Sequence, residues 1–364
     1  MKSLVIGAGA VGRGFVAPLL AAHGAAVDFV DTNPALLASL SARNSYLTAV
    51  AGPRGHVLIR VRYGRASAPE ALTDVAQYDA VFVSTGARQF SASAPLLREA
   101  RAVFVLENLR TAALQLRAAT GTARIWFGIP EAVVSNTAPP ALLERDALCV
   151  VAEPGDLILE RGGEPLGLDT GVIWADASEL ERRWACKFFI HNASHAVAAF
   201  LGSLADYHLV HDAMADPRIA PVVESTIRSV TRALVDLGRV DAPFAVSYME
   251  RELQRFRNPL LHDQISRVAR DPLRKLGAED RLMQALELVL AAGHDPHAIM
   301  TGIAAGLLCL VQTEGPRSGP RRRSEITLRS VGGLSDASLI RAILDRADSL
   351  RLEFRAPLRA SASR

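Results

Sequence analysis

Ser3-Leu-Val-Ile6 runs directly into Gly7-Ala8-Gly9-Ala10-Val11-Gly12, and Ala26-Val-Asp-Phe-Val30 follows and stops at Asp31. The first and last of these read as short buried strands. Phe15 to Ala22 between them has helical spacing and ends at Gly24. A strand, a GxGxxG turn, a helix and a second strand closed by an acid predict a βαβ dinucleotide-binding unit. Gly7 permits the tight turn, Gly9 lets the backbone approach a pyrophosphate, and Gly12 lets helix and strand pack closely. Ala8, Ala10, Val11 and Arg13 fill out the loop and the helix start, whose free N–H groups favour an anion. Asp31, 24 residues beyond Gly7, is placed to hold both ribose hydroxyls and to repel a 2′-phosphate. NAD rather than NADP is the expected cofactor.

The same wound pattern continues outward. Ala80-Val-Phe-Val83 ends at Ser84-Thr85-Gly86, and Ala102 to Leu106 ends at Glu107-Asn108. In an open parallel sheet these carboxyl ends line the cofactor crevice, so Thr85, Glu107 and Asn108 are candidate contacts, as is Asn33 just after Asp31. Turn chemistry alone would favour the same residue types there. Ala123 to Phe127 leads into Ile129-Pro-Glu131, and Cys149 to Leu159 reads as one further strand. Gly162 to Gly167 is the expected linker. From Leu180 the periodicity turns helical, over 187–204, 220–237, 282–292 and 298–311. The predicted architecture is α/β: a Rossmann-type NAD-binding domain over 1–179 and a mainly α-helical substrate domain over 180–364. Glu314 to Arg323, with two Pro and two Gly, reads as a surface loop.

Composition bounds the function classes. A chain of 364 residues with 49% hydrophobic and 22% charged residues is that of a globular enzyme. A net charge of +3 is small and scattered, with no basic aromatic surface for nucleic acid. No apolar run reaches the roughly 18 residues a bilayer span needs. The three cysteines are too far apart for a metal knuckle, and their odd number argues against a disulfide framework. A start that runs straight into the glycine motif, without a leader pattern, gives a cytoplasmic expectation. Monomer and small homo-oligomer both remain open.

Only Lys2, Lys187 and Lys275 are lysines among 41 Lys plus Arg. Lys187-Phe-Phe-Ile-His-Asn192-Ala-Ser-His195 sets one of them near an amide and an imidazole. On an α-helix Asn192 lies roughly 140° from Lys187 and His195 roughly 80°, one arc holding all three. Lysine, unlike arginine, serves as a general base once its proton is lost. The bland alternative is an amphipathic helix with a wet polar face. His191 and His195, and His208 and His211, have helical spacing but lack the thiol or HExxH context of a zinc site, so no metal is expected and the extra histidines read as surface or packing.

These residues resemble a known family. Gly7 to Phe15, Asp31-Thr-Asn33, Ala42-Arg-Asn-Ser-Tyr46 and Glu107-Asn108 are similar to the polyol-specific long-chain dehydrogenases. So are Lys187, Asn192 and His195 as a K-x4-N-x2-H signature, and Phe256-Arg-Asn-Pro259. Asp263-x3-Arg267-Val-x-Arg270-Asp-Pro-Leu-Arg274-Lys275, Asp280-Arg-Leu and Gly302-Ile-Ala-Ala305 extend the likeness over about residues 3 to 312. The resemblance implies metal-independent, NAD-linked interconversion of a secondary alcohol and a ketone on a small phosphorylated polyol. Lys187 would be the general acid/base, with Asn192 and His195 on the reacting oxygen. It also implies that Glu131, Arg267 and Lys275 reach the substrate. The chain departs from the family at Ser135-Asn136 and at Leu157, positions that line the substrate side in relatives. If 267–275 is helical, Arg267, Arg270 and Arg274 share a face suited to an anionic keto or hydroxy compound. A solvated basic face is the plain alternative. A reductase of another small phosphorylated, phosphonate or carboxylate ketone fits the same residues. So, with less need for Lys187, does a protein that senses NAD without turnover.

Overall fold

A computed structural model describes residues 1–86, 90–107, 109–162, 166–314 and 319–354. The chain divides into two compact units, Met1–Trp184 with Leu260–His262, and Ala185–Pro259 with Asp263–Arg364. The expected boundary at 179/180 falls inside the helix Ala177–Ala185.

The first unit has eleven described strands: β1 Lys2–Ile6, β2 Ala26–Val30, β3 Ser45–Gly52, β4 Gly55–Arg62, β5 Ala66–Ser67, β6 Ala80–Val83, β7 Val103–Val105, β8 Ile125–Pro130, β9 Val150–Ala152, β10 Leu157–Glu160 and β11 Val172–Ala175. Eight form one sheet in the order β11-β10-β8-β7-β6-β1-β2-β5. Its pairings are parallel except β10 against β8. Strands covered on both faces need apolar residues of both parities. Accordingly Leu4 and Ile6 of β1 join one core cluster and Val5 the other. Because β1 pairs in parallel with β2 on one side and β6 on the other, the winding order of the strands reverses there. That switch point is where open α/β sheets bind ligands.

A three-stranded sheet, β4-β3-β9, completes this unit. The hairpin β3–β4 is weakly marked in the sequence, because Thr48 is a polar residue on the buried side of β3 and Leu58 interrupts the polar/apolar alternation of His56 to Arg62. The single strand expected over Cys149 to Leu159 is two strands in different sheets. Gly155 makes the break: a Cβ there would meet Glu131 O at 2.3 Å. Leu157, expected at the substrate side, is fully buried in the core of the large sheet. The expected linker over 162–167 lies within the first unit, since β10 and β11 on either side pair with each other. Residues 163–165 fall outside those described.

The second unit is helical. Ser194–Leu204 and His297–Glu314 pack closely at Gly302, where a Cβ would meet Val197 Cγ2 at 2.3 Å. Arg321, Arg322 and Arg323 of the expected loop 314–323 stand in the first turns of a helix instead, Pro320–Ser330. Pro320 stands at its first turn, where the missing N–H costs no hydrogen bond. Residues 315–318 lie outside the described ones. Among the described residues no helix is long and apolar enough to cross a membrane.

Candidate active site

The glycine loop has the geometry its sequence requires. Gly7 has φ 99°, and a Cβ there would meet Ser84 O at 2.7 Å, so the ends of β1 and β6 lie against each other. A Cβ on Gly12 would meet Gly7 O at 2.1 Å. Gly9 is exposed with nothing within 4 Å of an added Cβ, leaving open space over the loop. Asp31 is tied to the loop: Oδ2 accepts from Ala8 N at 2.7 Å and Oδ1 from Asn33 N at 2.8 Å. Thr85 Oγ1 is buried without a hydrogen-bond partner at the end of β6, and Glu107 Oε1 accepts from Gly86 N at 2.6 Å. An open glycine turn, an acid at the end of β2 and an orphaned hydroxyl fit a dinucleotide.

Two expected contacts are used differently. Arg13 does not face outward. It is 8% exposed, donating from Nε to Ala8 O and from Nη1 to Leu148 O, both at 2.7 Å. Burial lowers its pKa, with Tyr46, Asp31 and Asp146 opposing. Its carbonyl accepts from Tyr46 Oη at 2.8 Å and Thr48 Oγ1 at 3.2 Å, so Arg13 braces the loop from within. Asn33 caps the helix Pro34–Ser41, its Oδ1 accepting from Ala35 N and Leu36 N. Asn108 lies outside the described residues. Glu131 is buried and pairs with Arg183 at 3.3 Å within the first unit.

In the second unit Lys187 and Asn192 lie on a π-helix, Cys186–Ala193, that continues as the α-helix Ser194–Leu204. The α-helical angles expected for this stretch therefore do not apply. In a π-helix residue i+5 stands one turn on from residue i, and Lys187 to Asn192 is that spacing. Lys187 is half-buried; Asn192 and His195 are buried.

His195 donates from Nε2 to Asp263 Oδ2 at 2.7 Å, and Arg267 Nη2 donates to Asp263 Oδ1 at 2.5 Å. Burial alone would raise the Asp263 pKa, but Arg267 and His195 outweigh it and hold the carboxyl well below the usual range. As an ionised carboxylate only accepts, the His195 proton on this side is fixed at Nε2. The backbone of Asp263 is fixed too, its carbonyl accepting from Val210 N at 2.9 Å.

His191, expected at the surface or in packing, is 7% exposed and built the same way. Its Nδ1 donates to Glu252 Oε2 at 2.6 Å, and Arg255 Nη1 donates to Glu252 Oε1. Burial pushes the imidazole down to about 3 against the opposing pull of Glu252. The ring is therefore neutral beside an ionised carboxylate. The rings of His191 and His195 are 4.9 Å apart, and Phe256 stacks on His195 at 5.1 Å and tilts against His191 at 5.6 Å. Sequence spacing showed neither Glu252 nor Asp263 as a partner, although Asp263 and Phe256 stood in the family motifs.

The basic stretch is not one helix. Ile265–Val268 and Pro272–Lys275 are separate short turns, parted at Asp271 with φ 59°. Pro272 starts the second turn and has no N–H to continue the first. Arg274 pairs with Asp271 at 3.3 Å and Asp280 at 2.6 Å, and Arg270 is exposed. Lys275 is 5% exposed, and its Nζ donates to Arg270 O. Burial, then Arg281 and Arg274, lower its pKa to about 7. Among the described residues no three His, Cys, Asp or Glu side chains gather as a metal site.

A sheet with a dinucleotide-type switch point, joined in one chain to a helical unit carrying a lysine, an amide and a carboxylate-bound imidazole, is the build of a two-domain dehydrogenase. Comparison with known proteins agrees. Residues 1–119 match the mannitol dehydrogenase Rossmann domain and residues 180–316 the mannitol dehydrogenase C-terminal domain. Over 333 residues the chain is 31% identical to a mannitol-1-phosphate 5-dehydrogenase from an Exiguobacterium species, covering 84% of this chain and 85% of that protein. Among solved structures it is similar to Pseudomonas fluorescens mannitol 2-dehydrogenase in ternary complex with NAD and D-mannitol, with TM-score 0.71 and 18% identity, covering 98% of this chain and 92% of that one. A substrate-free D-sorbitol dehydrogenase gives TM-score 0.68 and 16% identity, covering 97% and 93%. The chain belongs to the mannitol dehydrogenase family and is an oxidoreductase acting on a CH–OH group.

Proposed function

We propose that this protein is an NAD-dependent, metal-independent dehydrogenase that interconverts a secondary alcohol and a ketone on a small phosphorylated polyol, of the mannitol 1-phosphate and fructose 6-phosphate type. The observation that carries the reading is Lys187 and Asn192 one π-turn apart on the segment that continues into His195, with His195 held by Asp263. The relative that matches most of the chain acts, by its name, on mannitol 1-phosphate. Gly7 to Gly12, Asp31 and Thr85 would hold NAD, with the Asp31 carboxylate disfavouring a 2′-phosphate. When bound, its nicotinamide supplies the hydride acceptor.

Lys187 Nζ takes the hydroxyl proton during oxidation and returns it to the ketone oxygen in reduction, which requires the amine to alternate between neutral and charged forms. The Asn192 amide donates to the oxygen as charge develops on it. Because His195 Nε2–H is committed to Asp263, the ring meets substrate through Nδ1, accepting from a hydroxyl when neutral and donating when protonated. Lysine as base and an amide and imidazole as oxygen ligands do the work a metal would otherwise do, which supports the metal-independent reading. Arg267 and Lys275 supply positive charge for the substrate's anionic end, and Arg267 at the same time holds Asp263.

The test is loss of the nicotinamide absorbance band with NADH and a panel of sugar phosphates, keto sugars and keto acids. Turnover led by fructose 6-phosphate is expected. A small keto acid as the best substrate would replace the polyol reading with the reductase reading. Tight NADH binding with no turnover on any of them would leave only a sensor.

A further inference from the structure

The buried side chains His191, Glu252 and Arg255 have no part in the chemistry just described. Glu252 is fully buried, and His191 and Arg255 are 7% and 8% exposed. Burying a carboxylate, a guanidinium and an imidazole together gains little or no stability over apolar residues of the same volume, so packing does not account for them. Their placement gives another reason. His191 stands directly before Asn192 and four residues after Lys187, inside the π-helix. Such helices are rare and persist where surrounding contacts over-determine them. Side chains of this stretch are held from outside it: His191 by Glu252 on the helix Ala242–Phe256, Phe189 by Arg239 over its ring, and, just past the π-helix, His195 by Asp263. Phe256, at the end of that same helix, closes against both rings.

We infer that His191, with Glu252 and Arg255, is a positioning clamp that holds the π-helical register of Cys186–Ala193 and so sets the directions of Lys187 and Asn192. The effect on turnover rests on the proposed function; the effect on the helix does not. An Asn amide nitrogen occupies nearly the place of a histidine Nδ1, whereas a Gln amide reaches the place of Nε2, so Asn can keep the bond to Glu252 and Gln and Leu cannot.

The experiment compares His191→Asn, His191→Gln and His191→Leu for kcat and KM with fructose 6-phosphate and NADH, and for amide hydrogen exchange over residues 187–193. The Gln and Leu variants are expected to lose at least about tenfold in kcat with both KM values within about twofold, and the Asn variant to stay within about threefold of the parent. Exchange over 187–193 should accelerate about tenfold in the Gln variant and stay near parental in the Asn variant. Should the Leu variant fail to fold, the Asn and Gln pair, both polar, still decides. Equal behaviour of Asn and Gln in both readouts, or parental kcat and exchange in Gln, would overturn the clamp. If the parent turns over none of the panel, the proposed reaction fails while the exchange comparison still tests the clamp.

Discussion

His195 and Asp263, 68 residues apart in the chain, meet through an Nε2–H···Oδ2 hydrogen bond of 2.7 Å between two buried side chains. The bond fixes which nitrogen of the imidazole is left for a ligand, and Arg267 on the far carboxylate oxygen keeps Asp263 ionised.

Asp263→Asn removes that charge and lets the ring invert its tautomer. Turnover should fall by about 10–100-fold, the usual cost of losing a histidine's orienting partner. Dinucleotide affinity, followed by fluorescence, should not change. Parental turnover in this variant would mean that Asp263 does not orient the ring.

Lys187→Ala should cut turnover by about 10²–10⁴ with cofactor affinity intact, as loss of a general base does. Single-turnover kinetics separate this from slow release of product. Normal turnover would remove Lys187 from the mechanism.

Asp31→Ala should weaken NAD binding and narrow the discrimination against NADP. It also takes the acceptor from Ala8 N, so the glycine loop should loosen and the loss for NAD should exceed that of a ribose contact alone. The check is titration with both cofactors. A parent protein that already prefers NADP would show that Asp31 does not select.

Lys275 gives a pH signature. Its pKa is lowered to about 7 in the folded protein, first by burial and then by Arg281 and Arg274, and is about 10.4 in an unfolded chain. Between these values the unfolded state binds a proton that the folded state does not, so this residue makes stability rise with pH across that window. Lys275→Met should therefore show its largest gain over the parent at neutral pH, shrinking toward pH ~10 as the parent catches up. Urea denaturation of both proteins across this range measures it, and a constant gap would mean that Lys275 titrates normally. An anionic substrate draws on the protonated form, so its KM should climb as the pH passes about 7.

Arg267→Ala should raise the KM for a phosphorylated substrate by at least about tenfold, roughly 1.4 kcal/mol. Because Arg267 also holds Asp263, kcat should fall as well. Mannitol without its phosphate should be a poor substrate for the parent. Equal efficiency on fructose and fructose 6-phosphate, unchanged by the substitution, would make Arg267 purely a support for Asp263.

The dinucleotide unit was legible because its determinants are local. Gly7 and Gly12 are demanded by a positive φ and by a carbonyl that would lie 2.1 Å from any added Cβ. The strand around Leu4, Val5 and Ile6 is announced by its own apolar run. Asp31 follows at a distance set by one βαβ turn of chain. The family motifs likewise marked Lys187, Asn192 and His195 by spacing alone.

What spacing could not determine is which groups meet through space. Glu252 lies 61 residues from His191, and Asp263 lies 68 from His195. Such pairs follow from helix packing, so spacing alone left His191 as surface or packing, with no partner named. Arg13 reads from its place in the loop as a cofactor-side residue; the fold turns it inward, where two carbonyls accept from it. Pro320 looked like a breaker, yet a proline stops a helix only from the interior and starts one at the first turn. The π-turn is the clearest case. A five-residue separation of Lys187 and Asn192 is sequence, but whether the backbone winds to put them one turn apart depends on the buried contacts around Cys186–Ala193, which only the tertiary structure supplies.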